Sequence, residues 1–288
     1  MRSLNYQLKQ LCKHNRDGSF STQSARAWIL SQIANQLHEL GFRGMQSTSL
    51  KQKHVLALIQ LWKEQNVSIG TMKNRLSVLR WWASKVGKHS VIAKKNCFYD
   101  IGNRKYVTNY SKSQELNKEK LASIRNPHIQ LSIRLQAAFG LRREEAIKFQ
   151  PQYAIHGNFI KLKSSWCKGG RARTVPITSN EQRKLLDEVE ALARGGSLIP
   201  AHLTYIQHLR RYERITRDLG LKKLHGLRHG YAQRRFLDLT GFACPAKGGP
   251  TTKELTIEQR ALNEKARAMI SAELGHTREA ITAVYLGR

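Results

Sequence analysis

Apolar residues recur at helical spacing through residues 20–87. Ala25, Trp28, Ile29, Ile33, Leu37 and Leu40 fall at intervals of mostly three or four, which predicts an amphipathic helix stopped by Gly41. Val55, Leu58, Ile59 and Trp62 predict a second helix. A third is expected to start near Ser68 or Thr71, to pack Met72, Leu76, Leu79, Ala83 and Val86, and to end at Gly87. Its other face carries Lys73, Arg80 and Lys85, either a solvated surface or a cationic stripe able to lie along a DNA backbone. Between residues 88 and 114 the periodicity dissolves into a polar, basic stretch that reads as an interdomain linker. Asn117 is a good N-cap for the next helix, and another spans roughly 128–139 and delivers the chain to Gly140. Residues 158–177 change to strand character: Phe159, Ile160, Leu162 and Trp166 precede a Gly169-Gly170 turn, and Thr174, Val175 and Ile177 follow it, as in a hairpin. Helical patterns return at 179–193 and 203–218. The Pro/Gly-rich stretch FACPAKGGPTTKELT then leads to a helix marked by Leu262, Ala266, Met269 and Ile270. The pattern is that of a mainly α protein with a small β-sheet or hairpin (α+β), divided into residues 1–105, a linker at 106–114, and residues 115–288 with an inserted loop and helix at about 240–270.

Charge says what such a chain meets. Its 288 residues carry 50 Lys and Arg against 20 Asp and Glu, a formal charge of +30. The excess lies in both halves, so a long polyanion gripped from two sides is the expected partner, namely nucleic acid. Packaging proteins share that charge balance and are separated from enzymes only by motifs. No run of 18 apolar residues occurs, which excludes a membrane-spanning helix of ordinary length, and the N-terminus lacks the apolar run of a signal peptide. Cys12, Cys97, Cys167 and Cys244 are scattered without a CxxC pair, which argues against a disulfide framework or a zinc site and for a reducing cytoplasm.

Five short motifs carry candidate chemistry: GLRREEA around Arg142, CKGGRARTVPI around Lys168, HGLRHGYA around His225 and Arg228, LGH at His276, and VYLGR at Tyr285. Two arginines, a lysine and two histidines can hold a phosphodiester and stabilise its displacement, and a tyrosine can supply the nucleophile. Arg142 enters a helix with Glu145 one turn ahead, where a guanidinium can offer a bidentate fork to phosphate or simply pair with Glu144 or Glu145. His225 and Arg228 are three apart and share a face on a helical turn. His225 and His229 have a zinc-like i,i+4 spacing, but Gly226 stands where a metalloprotease needs Glu, and no third ligand accompanies the pair. Lys168, Arg171 and Arg173 make the hairpin basic, and Arg171 and Arg173 are expected to contact DNA. There is no P-loop and no carboxylate cluster able to hold two magnesium ions.

In this order the motifs resemble the signature of the tyrosine recombinases, the phage integrases and Xer-type recombinases. The match covers residues 140–285: Arg142 with its acidic partner Glu145, then Lys168, His225, Arg228, His276 and Tyr285. Residues 20–87 resemble the family's helical core-binding domain only in size, place and helicity. The resemblance implies a core-binding domain and a catalytic domain forming a C-shaped clamp around DNA, with no cofactor or metal. It implies site-specific strand exchange through a 3′-phosphotyrosine intermediate, by a homotetramer on two duplexes that is a monomer or dimer when free, with DNA-bending or directionality factors as further partners. It places the enzyme in the cytoplasm, on the nucleoid when bound. Two alternatives carry their own expectations: a type IB topoisomerase would nick and reseal one duplex, and an inactive DNA-binding regulator would not need Tyr285. The stretch between Arg228 and His276 is longer than usual for the family, and the chain ends soon after Tyr285, so docking of protomers through a long tail is not expected unless the insertion takes over that role.

Overall fold

A computed structural model describes residues 2–288 and divides them into two compact units, residues up to Lys105 and residues Tyr106–Arg288. The first is helical: α1 (Ser3–His14), α2 (Phe20–Glu39), α3 (Gln52–Glu64) and α4 (Ile69–Lys85). Ser19 and Ser68 cap α2 and α4 by accepting from the amides of Thr22 and Thr71, which fixes two of the helix starts. The core packs Leu30, Ile33 and Leu37 against Leu58, Trp62, Leu76 and Trp82. The two indoles are also tied down: Trp62 Nε1 donates to Gln36 Oε1 at 3.0 Å, and Trp82 Nε1 to the Ser47 carbonyl at 2.8 Å.

Three sequence expectations change in this unit. The buried stripe of α2 runs through Arg26, Leu30, Ile33, Ala34 and Leu37, which turns Trp28 outward with 62% of its surface exposed. Helix α1 has too few apolar residues to stand out in the sequence, yet it buries Leu4 and Leu8 against the same core. The stretch after residue 88 is not all linker, because Ile92, Tyr99 and Ile101 are buried core residues.

The second unit holds α5 (Lys118–Ala122), α6 (Pro127–Phe139), α7 (Arg143–Ile147), α8 (Pro151–Ala154), α9 (Asn180–Ala193), α10 (Tyr205–Asp218), α11 (Gly226–Thr240), α12 (Ile257–Glu273) and α13 (Glu279–Leu286). Its strands β1 (Ile155–His156), β2 (Phe159–Leu162) and β3 (Arg173–Pro176) form an antiparallel sheet in the order β1-β2-β3. Ile160 pairs with Val175 and Leu162 with Arg173, so Ile160, Leu162 and Val175 point into the main core with Phe139, Phe149, Phe236, Ile270 and Leu274. Asn117 caps α5 as its position predicts, accepting from the Lys120 amide. The strands are not joined by a tight Gly-Gly turn. Residues 163–172 form a loop whose start is anchored by buried Trp166, and the bend itself is made by Gly169 and Gly170 at positive φ. Helix α12 packs on α11 and β3 through Ala266 and Ile270, so it is a core element, and the irregular stretch before it also adds Cys244 and Ala246 to the main core; Leu262 and Met269 stay exposed.

Gly140 ends α6 at φ +61 and turns the chain towards Arg142. A Cβ there would lie 2.6 Å from the Tyr231 ring, so the position excludes a side chain on both conformational and steric grounds. We expect Gly140→Ala to cost about 2 kcal/mol and to lower the melting temperature of the second unit by roughly 4–8 °C. Thermal denaturation of the purified chain checks this, and an unchanged transition would contradict it.

Candidate active site

The site is built on one buried carboxylate. Glu145, in α7, is fully enclosed and accepts from both arms of Arg173, at 2.8 and 2.6 Å. The same carboxylate accepts from the backbone amide of Arg142 at 2.7 Å and from its guanidinium at 2.8 Å. Burial alone would raise the pKa of Glu145, but Arg173 and Arg142 overcome it and hold the group down at about 2. Arg142 therefore stands at the start of α7, half-buried, with its fork held from below.

Arg173 extends this support. Its Nε donates to the Glu273 carbonyl at 2.7 Å, and Nη1 also meets Cys167 Sγ at 3.3 Å. It thereby joins the end of α12 to the base of the β2–β3 loop. The Glu273 carboxylate in turn accepts from the Tyr231 hydroxyl at 2.7 Å and from Arg235 Nε at 3.1 Å.

Arg228, on the first turn of α11, is 1% exposed. Its Nη1 donates to the Gly140 carbonyl at 2.5 Å, its Nη2 to the Leu274 carbonyl, and Nη2 also approaches His276 Nε2 at 3.5 Å. Its Nε has no partner, a buried donor left available beside the site. Burial and the neighbouring Arg142 push its pKa down to about 10, so it remains charged at neutral pH.

Tyr285, on α13, is brought to these groups. Its hydroxyl lies 3.2 Å from His225 Nε2, its ring stacks on His229 at 4.3 Å, and His276 lies 5.1 Å away on a tilted plane. The Arg228 guanidinium is 5.8 Å from the ring centroid. His276 is oriented through Nδ1, which meets Thr282 Oγ1 at 3.0 Å. Burial and the surrounding arginines push His276 to about 3, while burial, His225 and Lys112 push His229 to about 4. His225 is lowered by partial burial and by Arg228 and Arg142, although its outer edge is open to solvent. All three shifts favour the neutral imidazole at pH 7. A neutral His225 can accept the Tyr285 proton at Nε2, and a neutral His276 can offer one N–H.

Of the residues singled out by sequence, Arg142, Glu145, His225, Arg228, His276 and Tyr285 converge. Lys168 stands apart, exposed on the β2–β3 loop with no hydrogen bond or ion pair among the described residues. Three residues expected to face DNA have other work. Arg173 is buried on Glu145; Arg80 donates to the Ala93 carbonyl and Asn96 Oδ1; Lys85 pairs with Asp17 at 2.9 Å. The cationic stripe on α4 is thus reduced to Lys73, which lies 3.5 Å from Asn103 Oδ1, and in the loop Arg171 remains exposed. His229, Thr282 and Glu273 were not legible as site residues; the i,i+4 spacing of His229 from His225 pointed to its place and not to its stacking role. Among the described residues no group of three His, Cys, Asp or Glu side chains is placed to hold a metal ion, and no helix is long and apolar enough to cross a membrane.

Residues 1–92 match a family model described as phage integrase, N-terminal, and residues 102–234 match one described as integrase. Solved structures share the fold at low identity. A lambda integrase dimer bound to a COC′ core site aligns over 99% of this chain and 78% of its own, with 14% identity and a TM-score of 0.63. A XerH site-specific recombinase bound to palindromic difH aligns over 99% and 81%, with 18% identity and a TM-score of 0.60. A Tn1549 transposon integrase bound to circular intermediate DNA aligns over 100% and 96%, with 15% identity and a TM-score of 0.56. No curated protein matches the chain.

Removing the Glu145 carboxylate leaves Arg173 buried without a counter-charge. Glu145→Ala should destabilise the second unit by about 3–5 kcal/mol, read by urea denaturation. The pH dependence has a definite sign. The folded pKa of about 2 lies below the usual carboxylate value, so the stabilisation is fully present above about pH 4.5 and is lost as pH falls towards 2. The gap between wild type and variant should therefore close over that interval; a gap constant with pH would show that charge is not what Glu145 supplies.

Proposed function

This chain belongs to the phage integrase family of tyrosine recombinases, and from that membership we propose that it is a site-specific DNA recombinase that cleaves and rejoins strands through Tyr285. The observation that carries the assignment is the 3.2 Å hydrogen bond between Tyr285 Oη and His225 Nε2, within one chain and beside the buried Arg228.

A free phenol, with a pKa near 10, is protonated at neutral pH and needs a base. As Tyr285 Oη attacks the scissile phosphorus, its proton passes to His225 Nε2. The bond from phosphorus to the leaving 5′-oxygen breaks as the new ester forms. Arg142 and Arg228 hold the non-bridging oxygens where negative charge develops, each contributing on the order of 10²–10³ in rate. His276 adds its single N–H when Thr282 hydrogen-bonds Nδ1 as a donor. Lys168, exposed on the loop, swings in to protonate the leaving oxygen. The phosphotyrosine conserves the bond energy, and a 5′-hydroxyl from a partner duplex reverses the step. The 3′ attachment follows from the family resemblance. Double-stranded DNA is the substrate and a tetramer on two duplexes the working assembly, as suggested by the lambda integrase tetramer bound to a Holliday junction. The charge of +30 suits that partner. Residues 1–105 act as the core-binding domain, with Lys73 and the loop residue Arg171 as candidate backbone contacts, and the enzyme works in the cytoplasm.

Covalent trapping tests the proposal. Wild type and Tyr285→Phe are incubated with a nicked genomic-fragment library, denatured, and the attached DNA is sequenced. Adducts from wild type alone are expected, and they identify the site as well. Adducts of equal yield from both proteins would remove Tyr285 from the role. Arg228→Ala should cut adduct formation by at least a hundredfold with little loss of DNA affinity, since many other cations hold the backbone.

The acid limb of the cleavage rate reports the base. His225 is lowered from its usual value near 6.5, so protonation should stop the reaction only below that pH. Cleavage rate against pH on a trapped site at subsaturating DNA, which reports the free protein, is expected to have an acid midpoint under 6.5 and to lose that limb in His225→Gln. A midpoint above 6.5 would point to a different base.

A further inference from the structure

Helix α13 has eight residues, too short to hold its own place in water. Where Tyr285 stands must therefore be decided by what grips the helix from outside. The Tyr285 carbonyl lies in the last turn, where helical carbonyls lack an intrahelical donor, and Gln233 Nε2 on α11 donates to it at 2.9 Å. Gln233 is 4% exposed, and its amide is fixed from both ends: its Oε1 accepts from Ser111 Oγ at 2.9 Å. Ser111 Oγ in turn accepts from the Ser113 amide at 3.1 Å and lies 2.7 Å from Ser113 Oγ. A second grip lies just beyond the tyrosine. Asn109 Nδ2 donates to the Arg288 carbonyl and Asn109 Oδ1 accepts from the Arg288 amide, both at 3.0 Å.

The segment making these bonds is itself seated closely. The Gln114 amide donates to the Gly226 carbonyl at 3.0 Å, and a Cβ on Gly226 would lie 2.7 Å from the Lys112 carbonyl. The glycines of HGLRHGYA thus have a use that the signature residues do not explain: they let residues 112–114 run directly over the first turns of α11, beside His225, Arg228 and His229.

We propose that residues 109–114 form a strap that positions the nucleophile, with Ser111 acting through Gln233 on Tyr285 and Asn109 acting on the residues that follow it. This rests on the assignment of Tyr285 as nucleophile. Ser111, Asn109 and Gln233 are positioning residues, since none touches the reacting atoms.

The test uses the full chain and a nicked duplex carrying a site recovered by covalent trapping, with the rate of adduct formation measured at saturating protein. Gln233→Leu keeps the volume and removes both bonds; misplacing a nucleophile by about 1 Å can cost on the order of a hundredfold, and a loss of ten- to a hundredfold is expected. Ser111→Ala and Asn109→Ala, at exposed positions that folding tolerates, should each lose several-fold. Because Ser111 acts through Gln233, the double variant with Gln233→Leu should be no slower than Gln233→Leu alone. DNA affinity should not change. A 5′-bridging sulfur at the scissile phosphate makes the leaving group independent of a proton donor. It should restore Lys168→Ala and leave Gln233→Leu slow, which a general loss of fold would not reproduce. Normal rates in Gln233→Leu and Ser111→Ala overturn the strap alone. So does restoration of Gln233→Leu by the sulfur substrate, or a rate loss matched by an equal loss of affinity. No adduct from the wild type would overturn the assignment of Tyr285 itself, and the strap with it.

Discussion

Glu145 is the charge on which the site depends. Arg142, Arg173 and Arg228 lie close enough to depress one another's neighbours, and without a counter-ion three guanidiniums would not share one buried region. Glu145 is enclosed, ionised and bonded to two of the three. Only one of its two partners is fully used up by it. Arg173 is consumed as structure, while Arg142 keeps its outer side for an incoming anion. A single carboxylate thus separates a structural cation from a functional one.

The same bond network explains why the parts of the site arrive together from distant stretches of chain. Arg173 reaches Glu273 at the end of α12, and Arg228 reaches Leu274 and the carbonyl of Gly140 before Arg142. The turns after α6 and after α12, the start of β3 and the first turn of α11 are therefore pinned to one another by charged donors on carbonyls. Such bonds are stronger than neutral ones, and they hold where an apolar core cannot, at the edge of a surface left open for a ligand. Lys168 is outside this network, which fits its proposed role as a proton donor.

The functional residues were more legible in the sequence than the packing around them. Arg142, His225, Arg228, His276 and Tyr285 are recognisable because the chemistry restricts residue type and their order matches the family signature. The helices α3, α4 and α6 were legible because their apolar residues recur on one stripe, and Asn117 because a cap is a local signal. Trp28 misled because an aromatic residue at helical spacing does not say which side of the helix faces the core; Leu30 and Ala34 decided that. Arg173 and Arg80 misled for a related reason. A basic residue beside other basic residues reads as a DNA contact, and only the three-dimensional position of Glu145, or of the Ala93 carbonyl, shows that the charge is already engaged. The roles of Gln233 and Ser111 had no local signal, since the two are far apart in sequence and neither belongs to a motif.

The electrostatics of the site bear on how it would receive a phosphate. His276 and His229 are pushed towards the neutral form by burial and by the neighbouring charged groups. An incoming phosphodiester adds negative charge among Arg142, Arg228 and His276, which opposes the effect of the arginines and favours protonation of the imidazoles. In the proposed mechanism, binding therefore raises the proton affinity of His225 as Tyr285 gives up its proton. On that reading the base is weaker in the free protein than in the substrate complex. A nucleophile left deprotonated in free protein would gain nothing from that coupling, whereas a phenol hydrogen-bonded to a neutral imidazole is activated by the arrival of the phosphate it attacks.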